Sequence, residues 1–384
     1  MIDDYLWLFI DDAADERASF LDQLRTVAAQ HSLALRFEAP EFGGLDDTLR
    51  LIAAAHPAGA ILDIDLSEPS RRVGDAQRVP RLWTGLGLAS EIRARQKATL
   101  GGQSALQLRE FPVVCLSNAQ PLGGFLGGNG YRDPSSVDLF EMILDKSDVT
   151  SGASAYVLQL VALSDVYGHL TSGRSLDALF GLGSELLSSW LTEGVIERLR
   201  EALPQAVHVA AGVFVRSLLQ QPGPLIDETV LSVRTGIDSS IEPIEWQRFL
   251  VSIGETRYSG VGSAGFRRWW ARGLESFWDS KTAASASLSR TPHGERAAIW
   301  SAALNLRLTP IRSDPASPGQ HYWRTCSLIP GRPVDAVLGI RLVSPAGHED
   351  WLDPQVASFG AAEEQRDDPR IEQESLRSVR RLVC

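Results

Sequence analysis

Lysine is almost absent from this chain, although basic residues are not. Of its 37 basic residues only three are lysines, namely Lys97, Lys146 and Lys281. Arginine therefore supplies nearly all of the positive charge. Lys146 ends the short apolar run in EMILDKSD, where the rest of the composition favours arginine. A position that requires a compact ammonium group instead of a forked guanidinium would account for it.

Cysteines and membrane-directed segments are also scarce or missing. The three cysteines, Cys115, Cys326 and Cys384, share no metal-ligand spacing, so the sequence predicts neither a disulfide framework nor a cysteine zinc site. The first residues, MIDDYLWLFIDD, lack the basic region of a signal peptide, and no apolar run reaches the length of a membrane span. We therefore expect a cytoplasmic protein without membrane contact.

The charge balance is acidic, with a formal net charge of −11. Non-specific binding of nucleic acid depends on neutralising phosphates with basic side chains, so this balance argues against it. With 44% hydrophobic residues the chain can bury a core, and 384 residues exceed the usual size of one domain. We expect two globular domains.

The first 150 residues alternate between apolar strands and helices. Strands are predicted at residues 5–10, 33–40, 58–66, 111–118 and 138–148. Strands that are apolar throughout and separated by amphipathic helices are typical of a parallel sheet covered on both faces. The sequence thus predicts an α/β domain over residues 1–150, and the turn-prone stretch VTSGA marks its end.

Polar side chains follow four of these strands. They are Asp11 and Asp12, Asp63 and Asp65, Ser117, and Lys146. Because the carboxyl ends of parallel strands meet at one edge of a sheet, we expect these side chains to lie close together. Clustered carboxylates need a cation, and Mg²⁺ prefers carboxylate oxygens. In such a site an aspartate can attack a phosphoryl group while a metal and a lysine neutralise the transferring oxygens.

The ordered set WLFIDD, AILDIDLS, VVCLSNA and MILDKS resembles the receiver domain of bacterial two-component response regulators. The resemblance covers about 150 of the 384 residues. It implies a flavodoxin-like, doubly wound sheet of five parallel strands in the order 2-1-3-4-5. It also implies a cytoplasmic signalling protein that receives its phosphate from a histidine kinase or a phosphotransfer protein.

The resemblance gives each strand-end residue a role. Asp63 would be the phosphoacceptor, and Ser117 and Lys146 would contact the phosphoryl group. The implied Mg²⁺ site consists of Asp12 as the direct ligand, Asp11 as the outer one, Asp63, and the backbone carbonyl of Asp65. Asp65 is an alternative acceptor because alternate strand residues face the same way, whereas the Ile-Asp-Leu that follows Asp63 favours Asp63.

The sequence departs from the receiver pattern elsewhere. Ser67 and Ser147 stand where the family has proline, and Ile143 replaces the aromatic residue of its switch. A long insertion over residues 67–83 follows the third strand, and the glycine-rich residues 120–136 occupy the place of the fourth helix. These differences predict a receiver with a rebuilt output face.

Residues 151–384 show longer helical periodicities, and seven of the ten tryptophans lie between Trp246 and Trp351. We expect a mainly α-helical domain with a possible small β element at residues 321–330 and 334–345. A helix over residues 265–278 would place one apolar face together, consisting of Phe266, Trp270, Leu274 and Phe277. The charged tail 361–384 is expected to be helical only when docked on a partner.

Three functions are compatible with these features. The first is a signalling protein whose receiver is phosphorylated and whose second domain binds another protein. The second is an enzyme in residues 151–384 gated by the receiver, although no kinase, cyclase or phosphodiesterase motif is found. The third is a pseudo-receiver scaffold in a bacterial conflict (antiphage) system, which is an analogy alone. A helix-turn-helix with a basic recognition helix is also missing, which argues against DNA as the output.

Overall fold

The computed structural model describes residues 5–11, 14–41, 43–64, 66, 84–102, 106–117, 139–146, 149–282, 286–344 and 348–383. The chain forms two compact units. The first comprises Met1–Gly181, Ile196–Arg216 and Gly260–Phe266, and the second comprises Leu182–Val195, Ser217–Ser259 and Arg267–Cys384. The first unit thus continues beyond residue 150. Among the described residues, no helix is long and apolar enough to cross a membrane.

The first unit contains a sheet of five parallel strands in the order β2-β1-β3-β4-β5. The strands are β1 (Tyr5–Ile10), β2 (Leu35–Glu38), β3 (Gly59–Asp63), β4 (Val113–Ser117) and β5 (Met142–Asp145). This is the order that the resemblance implies, so the α/β, flavodoxin-like fold is confirmed. Each strand lies within its predicted range and is shorter than or equal to it.

Helices cover the sheet of the first unit. They are α1 (Ala14–Gln30), α2 (Leu45–Ala55), α3 (Gly85–Leu100) and α4 (Val149–Thr171), followed by α5 (Leu176–Phe180). Further along the chain, α6 (Ser184–Trp190) belongs to the second unit. Most of α7 (Glu193–Ala202) and all of α8 (Val207–Phe214) belong to the first unit, and a π-helical turn extends α8 over Val215–Leu219.

The apolar run of β1 is explained by burial on both faces of the sheet. Leu6, Leu8 and Ile10 pack in one cluster with residues of α2 and α3. Trp7 and Phe9 point to the other face, where the Trp7 indole N–H donates to Ser164 Oγ on α4 at 3.2 Å. Because both faces are covered, residues 6–10 of this strand are all apolar and buried.

The second unit is mainly helical. Its other helices are α9 (Glu228–Thr235), α10 (Pro243–Ser252), α11 (Ala271–Lys281), α12 (His293–Leu304), α13 (Phe359–Glu364) and α14 (Gln373–Val383). Three antiparallel strand pairs accompany them: β6 (Leu225–Ile226) with β7 (Trp269–Trp270), β8 (Tyr322–Thr325) with β9 (Pro333–Asp335), and β10 (Ile340–Arg341) with β11 (Val356–Ala357). The predicted helical region with a small β element is therefore present.

The helix predicted over residues 265–278 begins later than expected, at Ala271. Trp269 and Trp270 form β7 instead, because backbone hydrogen bonds join residues 268–271 to Pro224, β6 and Tyr258. Phe266 and Trp270 therefore do not lie on one helix with Leu274 and Phe277. The predicted single face was wrong, since pairing with distant strands overrides the local helical spacing.

Two other helical predictions differ from the structure. Residues 183–203 form two helices instead of one, because Leu191 adopts an extended conformation between them and buries its side chain. The charged tail folds as α14 on its own chain, with Leu376 and Val379 buried in a cluster that includes Ile340 and Val356. This helix therefore does not need a partner in order to pack.

Candidate functional site

The carboxyl ends of the central strands meet at one edge of the sheet. Asp63 is the last residue of β3 and pairs with Leu116 of β4, and the register continues to Ser117, which pairs with Asp145 of β5. Asp11 follows β1 directly, and Lys146 follows β5. The parallel arrangement thus brings residues that are far apart in sequence to the same place.

Three of the predicted residues form a close, buried charge cluster. The ammonium nitrogen of Lys146 lies 2.9 Å from Oδ2 of Asp63 and 3.4 Å from Oδ2 of Asp11. The exposed fractions of the side chains are 18% for Lys146, 7% for Asp63 and 2% for Asp11. One ammonium group therefore contacts two carboxylates that are almost fully removed from bulk water.

The pKa of Lys146 reflects this arrangement. Burial disfavours the charged ammonium, but the hydrogen bond with Asp63 and the negative charges of Asp11 and Asp63 outweigh that effect and raise the pKa. Lys146 is therefore a permanent cation at this edge. It can neutralise negative charge, but it cannot serve as a general base near neutral pH.

The thiol nearest to this cluster, that of Cys115, is unreactive as a nucleophile. Cys115 is buried in β4, and burial together with the negative charge of Asp63 raises its pKa to about 12. A thiol is nucleophilic only as the thiolate, so Cys115 is not a nucleophile near neutral pH.

The other predicted site residues are only partly described. Ser117 ends β4, and its side chain lies outside the described part of the structure. Asp12, Asp65, Ser67 and Ser147 also lie outside the described residues, as do the insertion at 67–83 and the glycine-rich residues 120–136. Ile143, by contrast, is half-buried in β5 and packs against the same core as Leu62.

The cluster suits a hard divalent cation in its chemistry. Asp11 and Asp63 bring two carboxylates to the ammonium group of Lys146. Carboxylate oxygens are the ligands that Mg²⁺ prefers, and it keeps several waters of its own. Within the described ranges no group of three or more His, Cys, Asp or Glu residues could hold a metal, and the predicted ligands Asp12 and Asp65 fall outside those ranges.

Gly85, which the sequence did not single out, lets α3 pack closely against the backbone of the Asp63 segment. Gly85 begins α3, and a Cβ placed there would lie 1.9 Å from the backbone oxygen of Asp63. Its N–H donates to the carbonyl of Ile64 at 3.1 Å, and Thr84 caps the helix by accepting from the N–H of Gly87. Only glycine allows α3 to approach the backbone of the Asp63 segment this closely.

A buried polar network, also not evident from sequence, fixes the start of β5. Both carboxylate oxygens of Glu141 lie 2.7 Å from Nη2 of Arg93 on α3. The hydroxyl of Tyr167 on α4 and the N–H of Val113 each donate to Glu141 at 2.7 Å. Although burial opposes the charge of Arg93, the neighbouring Glu141 raises its pKa. The network ties α3, α4, β4 and β5 together.

Comparison with known proteins does not identify a family for this chain. No protein-family model matches it, and a search among curated proteins returns no match either. The cluster formed by Asp11, Asp63 and Lys146 is therefore the feature from which a function can be inferred.

Proposed function

We propose that the first unit is a receiver-like module that accepts a phosphoryl group on Asp63. The observation that supports this most directly is the position of the Lys146 ammonium, 2.9 Å from Asp63 and 3.4 Å from Asp11 at the carboxyl edge of a doubly wound sheet. A carboxylate that is to attack a phosphorus atom needs nearby positive charge for the phosphoryl oxygens. Lys146 offers such charge beside Asp63.

In the proposed reaction a carboxylate oxygen of Asp63 forms a bond to phosphorus while the bond between phosphorus and the donor's leaving atom breaks. The electron pair of the broken bond leaves with the donor, which is acetate when acetyl phosphate is used. Lys146 stays protonated and contacts a phosphoryl oxygen. Mg²⁺, when bound, would neutralise the same oxygens, and Asp11 and Asp63, with Asp12 and Asp65, would hold it.

The proposal extends to partners. A histidine kinase or a phosphotransfer protein would supply the phosphate, and the second unit would act as the output by binding another protein. This is the signalling hypothesis of the sequence, now supported by the sheet order and by the charge cluster. A pseudo-receiver scaffold, in which the same cluster never takes up phosphate, is the alternative that the following experiment distinguishes.

The test is phosphate incorporation measured by intact mass after treatment with acetyl phosphate and Mg²⁺. Wild type should gain one phosphoryl group, and Asp63→Asn should gain none because the amide is not a nucleophile. Asp47→Asn is the matched control, since Asp47 is an exposed aspartate of the same unit. Lys146→Met should reduce labelling strongly, whereas Lys97→Met, at an exposed lysine of α3, should not.

Two further variants and a ligand complete the test. Labelling that persists in Asp63→Asn and disappears in Asp65→Asn would move the acceptor by two residues. Beryllium fluoride, which mimics an acyl phosphate, should bind wild type in the presence of Mg²⁺ whatever the rate of hydrolysis. A wild-type protein that neither incorporates phosphate nor binds beryllium fluoride would refute the proposal and favour the scaffold.

A further inference from the structure

Arginine side chains gather in the second unit around a half-buried tryptophan. Trp323 and Arg324 are neighbours on β8, and α9, which carries Arg234, packs against that strand. The guanidinium carbon of Arg234 lies 4.9 Å from the ring centroid of Trp323, and that of Arg296 lies 5.8 Å from it. These cation–π contacts hold two guanidinium groups at defined positions.

Arg296 and Arg234 find most of their partners within the protein. Arg296 is fully buried and donates to the carbonyls of Arg234 and Tyr322. Arg234 donates from Nη2 to Oδ2 of Asp353 at 2.5 Å. The Nε atoms of Arg234 and Arg296 are nevertheless buried without a hydrogen-bond partner.

Arg324 has no such partner. Its Nε is buried without a hydrogen bond, and its guanidinium forms no hydrogen bond or ion pair with any residue in the described part of the chain. Burial lowers the pKa of Arg324, and the positive charges of Arg234 and Arg341 lower it further, whereas the negative charge of Asp353 raises it. The nearest carboxylate, Asp353, is already engaged by Arg234.

This arrangement is unfavourable for the protein alone. Arg324 is half-buried, and only its Nε is fully removed from water. A buried N–H without a partner raises the free energy of the folded state, and like charges beside the guanidinium add to that cost. The carboxylate of Glu275 also interacts with Arg234, but Arg272 offsets its charge. Arg234, Arg324 and Arg341 carry three positive charges and Asp353 carries one negative charge, which leaves an excess of two positive charges. A phosphate monoester carries nearly that charge with opposite sign at neutral pH.

We propose that Arg324, together with Arg234 and Arg341, binds an oxyanion of the phosphate class in the second unit. Arg324 would provide the central donors, since a guanidinium matches two oxygens of a phosphate at once. Arg341 is exposed on β10 and would contact the outer side of the anion. Trp323 and Asp353 would hold Arg234 in place. This site is independent of the proposed phosphorylation of Asp63.

The test is calorimetric titration of the full chain with inorganic phosphate and, separately, with O-phosphoserine, at fixed ionic strength and with a chelator present. An Asp63→Asn background removes any contribution from the first unit. We expect Arg324→Met to weaken binding at least about tenfold, because charge-assisted hydrogen bonds are lost. Arg248→Met is the matched control, since Arg248 is an exposed arginine of the same unit that pairs with Glu245, and it should bind like the parent.

A second readout separates ligand binding from a structural role. Without phosphate, Arg324→Met should unfold at the same urea concentration as the parent or at a higher one, because the repulsion with Arg234 and Arg341 is removed. Phosphate should then stabilise the parent and not the variant. Tighter binding of O-phosphoserine would identify a phosphorylated ligand, and tighter binding of inorganic phosphate would identify the free anion. Absence of binding to the parent, or equal binding by Arg324→Met, would overturn the proposal.

Discussion

Replacing Glu141 by glutamine tests the buried ion pair that fixes the start of β5. The exposed fractions of the two side chains are 0% for Glu141 and 6% for Arg93. The carboxylate receives hydrogen bonds from Arg93, from the Tyr167 hydroxyl and from the Val113 N–H, each at 2.7 Å. Glutamine has nearly the same shape but carries no charge. The substitution therefore changes the electrostatics of the network with little change in packing.

The expected loss of stability follows from this geometry. Removing one partner of a buried ion pair costs about 3–5 kcal/mol, because the other charge stays buried without compensation. Arg93 retains a hydrogen bond to Gln96 and others to the carbonyls of Phe111 and Leu139. Those contacts favour the lower end of the range. The new amide must also direct its N–H₂ at a group that is itself a donor, which adds to the loss. We expect a decrease in the free energy of unfolding of about 3–4 kcal/mol.

The measurement is native-state hydrogen exchange of the β4 amides, Val113–Ser117, combined with urea unfolding. Asp47→Asn is the matched control, because it breaks an exposed ion pair with Arg50 in which both side chains are about 70% exposed. A surface pair contributes at most about 1 kcal/mol, so the control should stay close to wild type. Both substitutions remove one negative charge from the same unit.

The double variant Glu141→Gln with Arg93→Met provides the decisive comparison. If the cost comes from an uncompensated charge, removing Arg93 as well should restore part of the lost stability, so the two effects should not add. A Glu141→Gln variant within about 1 kcal/mol of wild type, or additive effects of the two substitutions, would refute an uncompensated charge as the cause.

Two other predictions concern stability in the first unit. Burial lowers the pKa of His169, and its contact with the Ser175 carbonyl opposes this shift. The unfolded histidine titrates at about pH 6.5. The stabilising effect of neutral His169 is therefore complete above that pH and is lost as the pH falls. His169→Gln should flatten this part of a plot of unfolding free energy against pH. A Cβ on Gly59 would lie 2.5 Å from the Trp7 ring, whereas Gly168 in α4 has open space. Urea unfolding should show a loss of about 1–3 kcal/mol for Gly59→Ala and a gain of up to about 1 kcal/mol for Gly168→Ala.

The fold of the first unit was predictable because burial on both faces leaves a clear mark in sequence. The three central strands β1, β3 and β4 are apolar up to their carboxyl ends, and that pattern is typical of a parallel sheet with helices on both sides. The edge strand β2 carries Arg36 and Glu38 and has a weaker signal. The sheet order came from the receiver resemblance and was confirmed. The failure at residues 265–278 has the opposite cause. Trp269 pairs with Ile226, more than forty positions away in sequence, and a local periodicity contains no information about such a partner.

The charged residues of the site were predictable from the sequence, whereas the residues that hold the surrounding strands and helix in place were not. Acids and a lysine after apolar strands are visible in the sequence, and the topology alone brings Asp11, Asp63 and Lys146 to one edge. Arg93 and Glu141 look like ordinary charged residues of a helix and a strand entry, because only the tertiary structure shows that both are buried. Gly85 is similar, since its close approach to the Asp63 backbone depends on where α3 begins.

The sheet order also explains why a lysine occupies position 146. Asp11 and Asp63 flank the point between β1 and β3 at which the chain reverses its direction of winding, and a crevice opens there in doubly wound sheets. β4 separates β5 from β3, so the backbone at Lys146 is two strand spacings, roughly 10 Å, from that at Asp63. Among basic side chains only lysine and arginine are long enough to cover that span. A guanidinium would present a planar fork, whereas the ammonium is a single point of charge that contacts one oxygen of each carboxylate. In a chain whose basic residues are nearly all arginines, the geometry of this edge favours a lysine at position 146.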